Sequence, residues 1–218
     1  MHIYLSHFMN ESTPAYAGSG EHRIQNTSQI KQGASSNSMH LSISNHLGTH
    51  IDFPRHFSDS GKRINDYEPG AWYFDSVQLI DIQAVADQII DETTLQLSDL
   101  RAETELLLIR TGFEAVRGEK KYWNNNPGLA PSLAAALSEK FPAIRAVGFD
   151  FISLSSFQNR ELGRQAHKKF LVESDILVIE DMSLKNITEK IRRVIALPLM
   201  IDNADGSPMT VIAEVADD

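Results

Sequence analysis

Between His46 and His56 the chain reads His46-Leu-Gly-Thr-His50-Ile-Asp52-Phe-Pro-Arg-His56, with three imidazoles and a carboxylate all on even positions. Side chains alternate faces along an extended backbone, so residues an even number apart share a side. The spacing predicts a strand that projects His46, His50, Asp52 and His56 in one direction. Neutral imidazoles with one carboxylate are a ligand set for zinc or another divalent transition metal.

A helix would require a different pattern. The two-His zinc helix is His-Glu-x-x-His, with the Glu as general base, and the residue after His46 is Leu47. Gly48 and Thr49 weaken a helix at its centre, and Pro54 would break it soon after. Upstream, Met39-His40-Leu41-Ser42-Ile43-Ser44 alternates apolar and polar side chains as a half-buried strand does. A strand running into a Gly-containing turn is the better reading.

The chain has 218 residues, of which 42% are hydrophobic, enough to bury a substantial core in a single domain spanning 1–218. It contains no cysteine, so any metal must be held by nitrogen and oxygen donors. A net charge of −9 argues against a nucleic-acid surface, which needs clustered Lys and Arg. Lys168-Lys169 and Arg192-Arg193 are short pairs and read as solvated positions. No apolar run approaches the roughly 18–20 residues that cross a bilayer, and the N-terminus lacks a secretory pattern. Cytoplasmic residence is the expectation.

Four short apolar runs read as buried strands: Val77–Ile82, Leu106–Arg110, Ala146–Phe151 and Ile176–Glu180. Between them lie helical patterns at Ala130–Lys140, with Pro131 near the start where a missing N–H costs little, and at Arg160–Phe170. Thr27–Ser38 is polar and reads as a loop or weak edge strand. Ala204-Asp205-Gly206-Ser207 predicts a hairpin turn between Ile195–Ile201 and Met209–Val215. Hairpins mixed with strand–helix alternation point to an α/β domain with a mixed sheet and flanking helices. His167 falls in the second helix pattern, and Glu180-Asp181 and Asp150 each close a buried run. None of these stands out locally.

The motif His46-x-Gly48-Thr49-His50-x-Asp52-x-Pro54-x-His56 resembles the signature of the metal-dependent cyclase and kynurenine formamidase family, which includes isatin hydrolases. Thr13-Pro14-Ala15-Tyr16 is similar to that family's N-terminal substrate loop. Ile195-Ala196-Leu197-Pro198-Leu199, followed by Asp205-Gly206-Ser207-Pro208, is similar to its C-terminal hairpin. The resemblance covers nearly the whole chain and implies a swivelling β/β/α architecture and a homodimer or higher homo-oligomer. It implies that His46, His50 and Asp52 bind a first metal, and that Asp52 reaches a second metal completed by His167 and Glu180. It also makes His56 the proton-transfer residue and Tyr16 a substrate contact. Formamidases of this type commonly follow the aromatic with Pro-Gly-Asp, where this chain has Ala17-Gly18-Ser19. Its substrate loop is therefore its own.

The ligand set fits metal-assisted hydrolysis of a small amide, formamide or lactam, in which a divalent metal acidifies water and polarises the carbonyl. Zn2+ is the first expectation and Mn2+ the second, with one or two ions per subunit. His56 would take the proton from water and return it to the leaving nitrogen. There is no Cys nucleophile and no Gly-x-Ser-x-Gly elbow for an acyl-enzyme route. N-formylkynurenine-like amides, isatin and other cyclic amides remain alternatives, as does a metal-dependent binding protein without turnover. Arg160 or Arg164 could hold a substrate carboxylate through paired hydrogen bonds.

Overall fold

The apolar runs at Leu106–Arg110 and Ala146–Phe149 pair side by side as parallel strands, and a parallel sheet is stable when both faces are covered. Leu106 and Leu108 face one hydrophobic cluster, while Leu107 and Ile109 face another across the sheet. The computed structural model describes residues 1–18 and 22–216. Ser19, in the divergent substrate loop, lies outside the described residues.

In chain order the first strands are β1 (His2–Tyr4), β2 (Arg23–Ser28), β3 (Ser38–Ser42), β4 (His50–Asp52), β5 (Tyr73–Phe74) and β6 (Val77–Asp81). They are followed by β7 (Ile89–Ile90), β8 (Leu106–Arg110), β9 (Gly128–Leu129) and β10 (Ala146–Phe149). The last are β11 (Leu177–Glu180), β12 (Ile191–Pro198) and β13 (Gly206–Val215). The helices are α1 (Lys121–Asn124), α2 (Pro131–Lys140) and α3 (Arg160–His167).

One large mixed sheet runs in the order β5-β12-β13-β4-β11-β10-β8-β6, with β1 also paired to β13. The β6, β8, β10 and β11 pairs are parallel, and β4, β13, β12 and β5 join antiparallel. β5 and β6 occupy opposite edges, yet only Asp75 and Ser76 lie between them in the chain. So short a connection forces the edges together, and the sheet curls into a nearly closed barrel. Glu105 pins the bend by accepting from the amides of Asp75 (2.7 Å) and Ser76 (3.2 Å). Ile51, Phe53, Trp72, Phe74 and Val211 fill the inside, and α2 and α3 cover the outer face through Leu133, Leu137 and Ala166.

Three local expectations need correction. β3 is exposed along its whole length, because it pairs only with β2 in a separate two-stranded ribbon and covers no core. The C-terminal hairpin turns earlier than the Asp-Gly dipeptide suggested: β12 ends at Pro198, and Gly206 and Ser207 already pair with Asp52 and Ile51 in β4. The second helix keeps α geometry only to His167, then widens into a π-helical turn over Lys168–Glu173. Among the described residues no helix is long and apolar enough to cross a membrane.

Candidate metal centre

The register of β4 with its neighbours creates the centre. Glu180 of β11 lies opposite His50, Val178 opposite Asp52, and Gly206 of β13 opposite Asp52 from the other side. Ile51 points into the barrel core, so His50 and Asp52 emerge together on the outer face, where α3 delivers His167. His50, Asp52, His167 and Glu180 are 4%, 1%, 4% and 3% exposed. Such burial of two carboxylates requires a compensating positive charge.

The extended-face prediction holds only for His50 and Asp52. His46 sits in a turn, and His56 closes a 3-10 turn begun by Pro54. The turn needs Gly48, whose φ of 69° lies in the left-handed region that side chains disfavour. His46 and His56 nevertheless converge on the centre, their rings 4.1 Å apart. His46 lies directly over Gly206, where an added Cβ would come within 2.8 Å of the His46 Nδ1. Only glycine there leaves room for the imidazole.

Asp52 divides its two oxygens between two groups of side chains. Its Oδ1 is 2.8 Å from His46 Nδ1 and 3.5 Å from His50 Nε2. Its Oδ2 is 3.5 Å from His167 Nε2. Glu180 closes the ring, with Oε2 3.4 Å from His50 Nε2 and Oε1 3.5 Å from His167 Nε2. Ligand atoms of His46, His50 and Asp52 fall within 4.8 Å of one another, and so do those of Asp52, His167 and Glu180. The structure thus brings together His46, His50 and Asp52 with His167 and Glu180, the five residues that the family resemblance implied as ligands.

The imidazoles are also oriented for ligation. His50 Nδ1 donates to the Gly48 carbonyl at 2.8 Å, and His167 Nδ1 donates to the Gly163 carbonyl at 2.9 Å. Each hydrogen bond leaves Nε2 as the nitrogen facing the carboxylates, the second-sphere arrangement typical of metal-binding histidines. Glu180 Oε1 accepts from the Leu154 amide at 2.7 Å and from Ser153 Oγ at 3.3 Å. This donor set fits a divalent cation.

Burial alone pulls the His50 pKa down, but hydrogen bonding to Glu180 and the charges of Asp52 and Glu180 outweigh it and lift it to about 9. Burial is likewise outweighed at His167, where hydrogen bonds to Asp52 and Glu180 lift it to about 10. Burial would push both carboxyls up, and the Asp52 charge pushes Glu180 in the same direction. The imidazole contacts instead hold both below the ordinary carboxylate range. Without a cation, the imidazoles around these carboxylates hold their protons more tightly and offset the buried negative charge.

A cavity of about 410 Å³ opens over the centre, lined by Tyr16, Phe57, Ile152, Ser155, Arg160 and Arg164 as well as the histidines. Phe57 stacks on His167 at 4.5 Å. Tyr16 meets the edge of Phe157 at 5.9 Å, and the Arg160 guanidinium lies 4.0 Å over the same Phe157 ring. Arg164 is turned to an ion pair with Glu161.

Residues 3–156 match the family described as "Putative cyclase". The chain belongs to that family. It is 30% identical over 210 residues to the kynurenine formamidase of Bacillus cytotoxicus, spanning 96% of this chain and 95% of that protein. The kynurenine formamidase of Bacillus anthracis matches to the same extent. Isatin hydrolase A from Labrenzia aggregata, bound to benzyl benzoate, superposes over 100% of this chain and 94% of its own, with TM-score 0.84 and 22% identity. A predicted metal-dependent hydrolase from Bacillus stearothermophilus superposes over 98% and 97%, with TM-score 0.76 and 22% identity. These two structures show that the cyclase-family fold is shared.

Sequence reasoning missed part of the cyclase-family site. Asp205 was legible only as a turn residue, yet its Oδ2 lies 2.8 Å from His56 Nδ1 and 3.2 Å from His46 Nε2. Phe57 follows the motif with no signal of its own. Asp150 and Asp181 are structural: Asp150 accepts from Thr111 and Gly112, and Asp181 pairs with Arg117 and Tyr122.

The pH dependence has a definite sign. The folded pKa values of His50 and His167 lie above the ordinary 6.5, so their stabilisation is complete below that pH. It is lost as pH rises through about 9 and about 10. Metal-free protein is expected to lose melting temperature over this alkaline window, and saturating zinc to remove most of the slope. Melting followed by circular dichroism with and without zinc checks this, and parallel curves would contradict it.

Proposed function

We propose that this cyclase-family protein is a metal-dependent hydrolase that cleaves the C–N bond of a small amide, formamide or lactam, in the manner of an arylformamidase. The observation that carries the reading is the split of Asp52 between two ligand groups beneath an open cavity. In this reading His46, His50 and Asp52 hold one ion, and Asp52, His167 and Glu180 hold a second. Zn2+ is the first choice for this nitrogen and oxygen set and Mn2+ the second. A cation so held supplies Lewis acidity that activates water and polarises an amide carbonyl.

The side chains have separate tasks. His56 is partly open to the cavity, and its Nδ1 is engaged by Asp205, so Nε2 is free to take a proton from water and return it to the leaving nitrogen. Phe57 and Tyr16 wall the cavity against an aromatic amide. The pocket also fits a cyclic amide, and the fold shared with isatin hydrolases supports that second substrate class.

Turnover should be measured on N-formylkynurenine, formanilide and isatin, with zinc or manganese and after chelation. Hydrolysis of at least one substrate is expected, lost on chelation and restored by metal. His56→Ala should keep bound metal by elemental analysis and lose about 10²–10⁴-fold in kcat. Metal-independent turnover, or near-normal turnover in His56→Ala, would sink the mechanism.

Arg160 lines the cavity without a carboxylate within ion-pair distance among the described residues. We assign it to a substrate carboxylate. Arg160→Ala should raise KM about tenfold for N-formylkynurenine and leave neutral formanilide unchanged, given a charge-assisted hydrogen bond worth about 1.5–3 kcal/mol. Equal effects on the two substrates would refute the assignment.

The protein is also proposed to work as a homodimer or higher homo-oligomer. Tyr4, Phe8, Met9, Leu197 and Leu199 line one continuous groove, in which Phe8 is 83% exposed. Exposed apolar patches of this kind mark association surfaces. Light scattering should give at least twice the 24.3 kDa chain mass, and a monomer at micromolar concentration would exclude the assembly.

A further inference from the structure

Asp205 lies just before β13, where an Asp ordinarily stabilises a turn by accepting from nearby backbone amides. Among the described residues its carboxylate does something else. It lies within hydrogen-bond distance of three side chains: Asn45 Nδ2 donates to Oδ1 at 2.7 Å, and Oδ2 is 2.8 Å from His56 Nδ1 and 3.2 Å from His46 Nε2. Asn45 also donates to the Gly206 carbonyl at 3.1 Å, and the Asp205 carbonyl accepts from the Phe53 amide at 2.9 Å. The backbone of Asp205 is thereby tied to the motif segment, and its side chain is aimed by a fixed donor. The two imidazoles it joins are 4.1 Å apart.

We propose that Asp205 is a positioning residue that sets the tautomers of a metal ligand and of the proton-transfer histidine with a single carboxylate oxygen. This inference rests on the roles given above to His46 and His56.

His46 stands between two carboxylates, with Nδ1 2.8 Å from Asp52 and Nε2 3.2 Å from Asp205. A neutral imidazole has one N–H to donate. If Asp52 took it, Nδ1 would be protonated and unable to ligate. Asp205 offers the competing acceptor on Nε2 and leaves the Nδ1 lone pair directed at the centre. For His56 the logic is reversed in atoms and identical in kind. Asp205 holds the proton on Nδ1 and leaves Nε2 bare toward the cavity. When Nε2 takes a proton from water, the imidazolium formed is balanced by the Asp205 carboxylate. When that proton passes to the leaving nitrogen, neutral His56 returns to its starting tautomer. A carboxylate behind a metal-ligating histidine acts in this way in unrelated enzymes, where its loss costs about 10–100-fold in metal affinity or activity.

The test compares Asp205→Asn, Asp205→Glu, His56→Ala and the Asp205→Asn/His56→Ala double variant. Asn keeps the shape and removes the charge, so a folded protein is retained for measurement even if Asp205→Ala does not fold. Zinc affinity, read by competition with a chromophoric chelator, should fall about 10–100-fold in Asp205→Asn. At saturating zinc its kcat on formanilide should fall by a similar factor while KM stays within about twofold, and Asp205→Glu should recover part of the loss. The double variant should be no slower than His56→Ala, since residues that act as one unit are not additive. Wild-type zinc affinity and kcat in Asp205→Asn, or additive losses in the double variant, would overturn the inference while His56→Ala remains impaired. Wild-type turnover in His56→Ala would instead overturn the proton-transfer role itself, and this inference with it.

Discussion

A carboxylate that is 1% exposed needs a reason to be charged, and for Asp52 that reason is the ring of imidazoles around it. Removing an ion from water costs several kcal/mol even after the protein relaxes. Asp52 and Glu180 both carry that cost in the same small volume. Imidazole protons offset them in the metal-free protein, and divalent cations can do the same in their place. A divalent cation at these ligands would have to displace the imidazole protons, so cation and protons compete for the same atoms.

The strands and the loops divide the labour. His50, Asp52 and Glu180 stand on adjacent strands whose register places them on one face, and His167 arrives on a helix packed against that face. Ligands on rigid elements keep their geometry. His46, His56 and Asp205 come from turns at the rim, where the cavity opens. The π-helical widening directly after His167 adds a residue to the helical turn where this imidazole leaves α3. Gly206 serves the same end by absence, since any side chain there would displace His46.

Much of this was legible in the sequence. Continuous apolar runs identified β8, β10 and β11, because strands buried on both faces show no alternation. The run expected to be a buried strand at Val77–Ile82 proved to be the half-buried edge strand β6. Pro131 marked the start of α2. The motif from His46 to His56 announced its ligands through residue type and spacing, although the backbone reaches that arrangement by a turn, a three-residue strand and a 3-10 turn instead of one extended face. The alternation in Met39–Ser44 marked a strand correctly but could not say what covers it, and among the described residues nothing does.

What the sequence determined alone was local: which runs are strands, where a helix begins, and that His46, His50 and Asp52 are a set of metal-ligating residue types a few residues apart. His167 and Glu180 carried no local signal, and only the family resemblance joined them to the motif. Asp205 read as turn chemistry, because Asp-Gly is a turn dipeptide wherever it occurs. The tertiary structure decided these three. Glu180 joins the centre through the register of β11 against β4, His167 through the packing of α3 on the outer face, and Asp205 through the pairing of β13 with β4. Each is a contact between residues more than 100 positions apart, set by how a curled sheet closes on itself and not by any preference of the residues themselves.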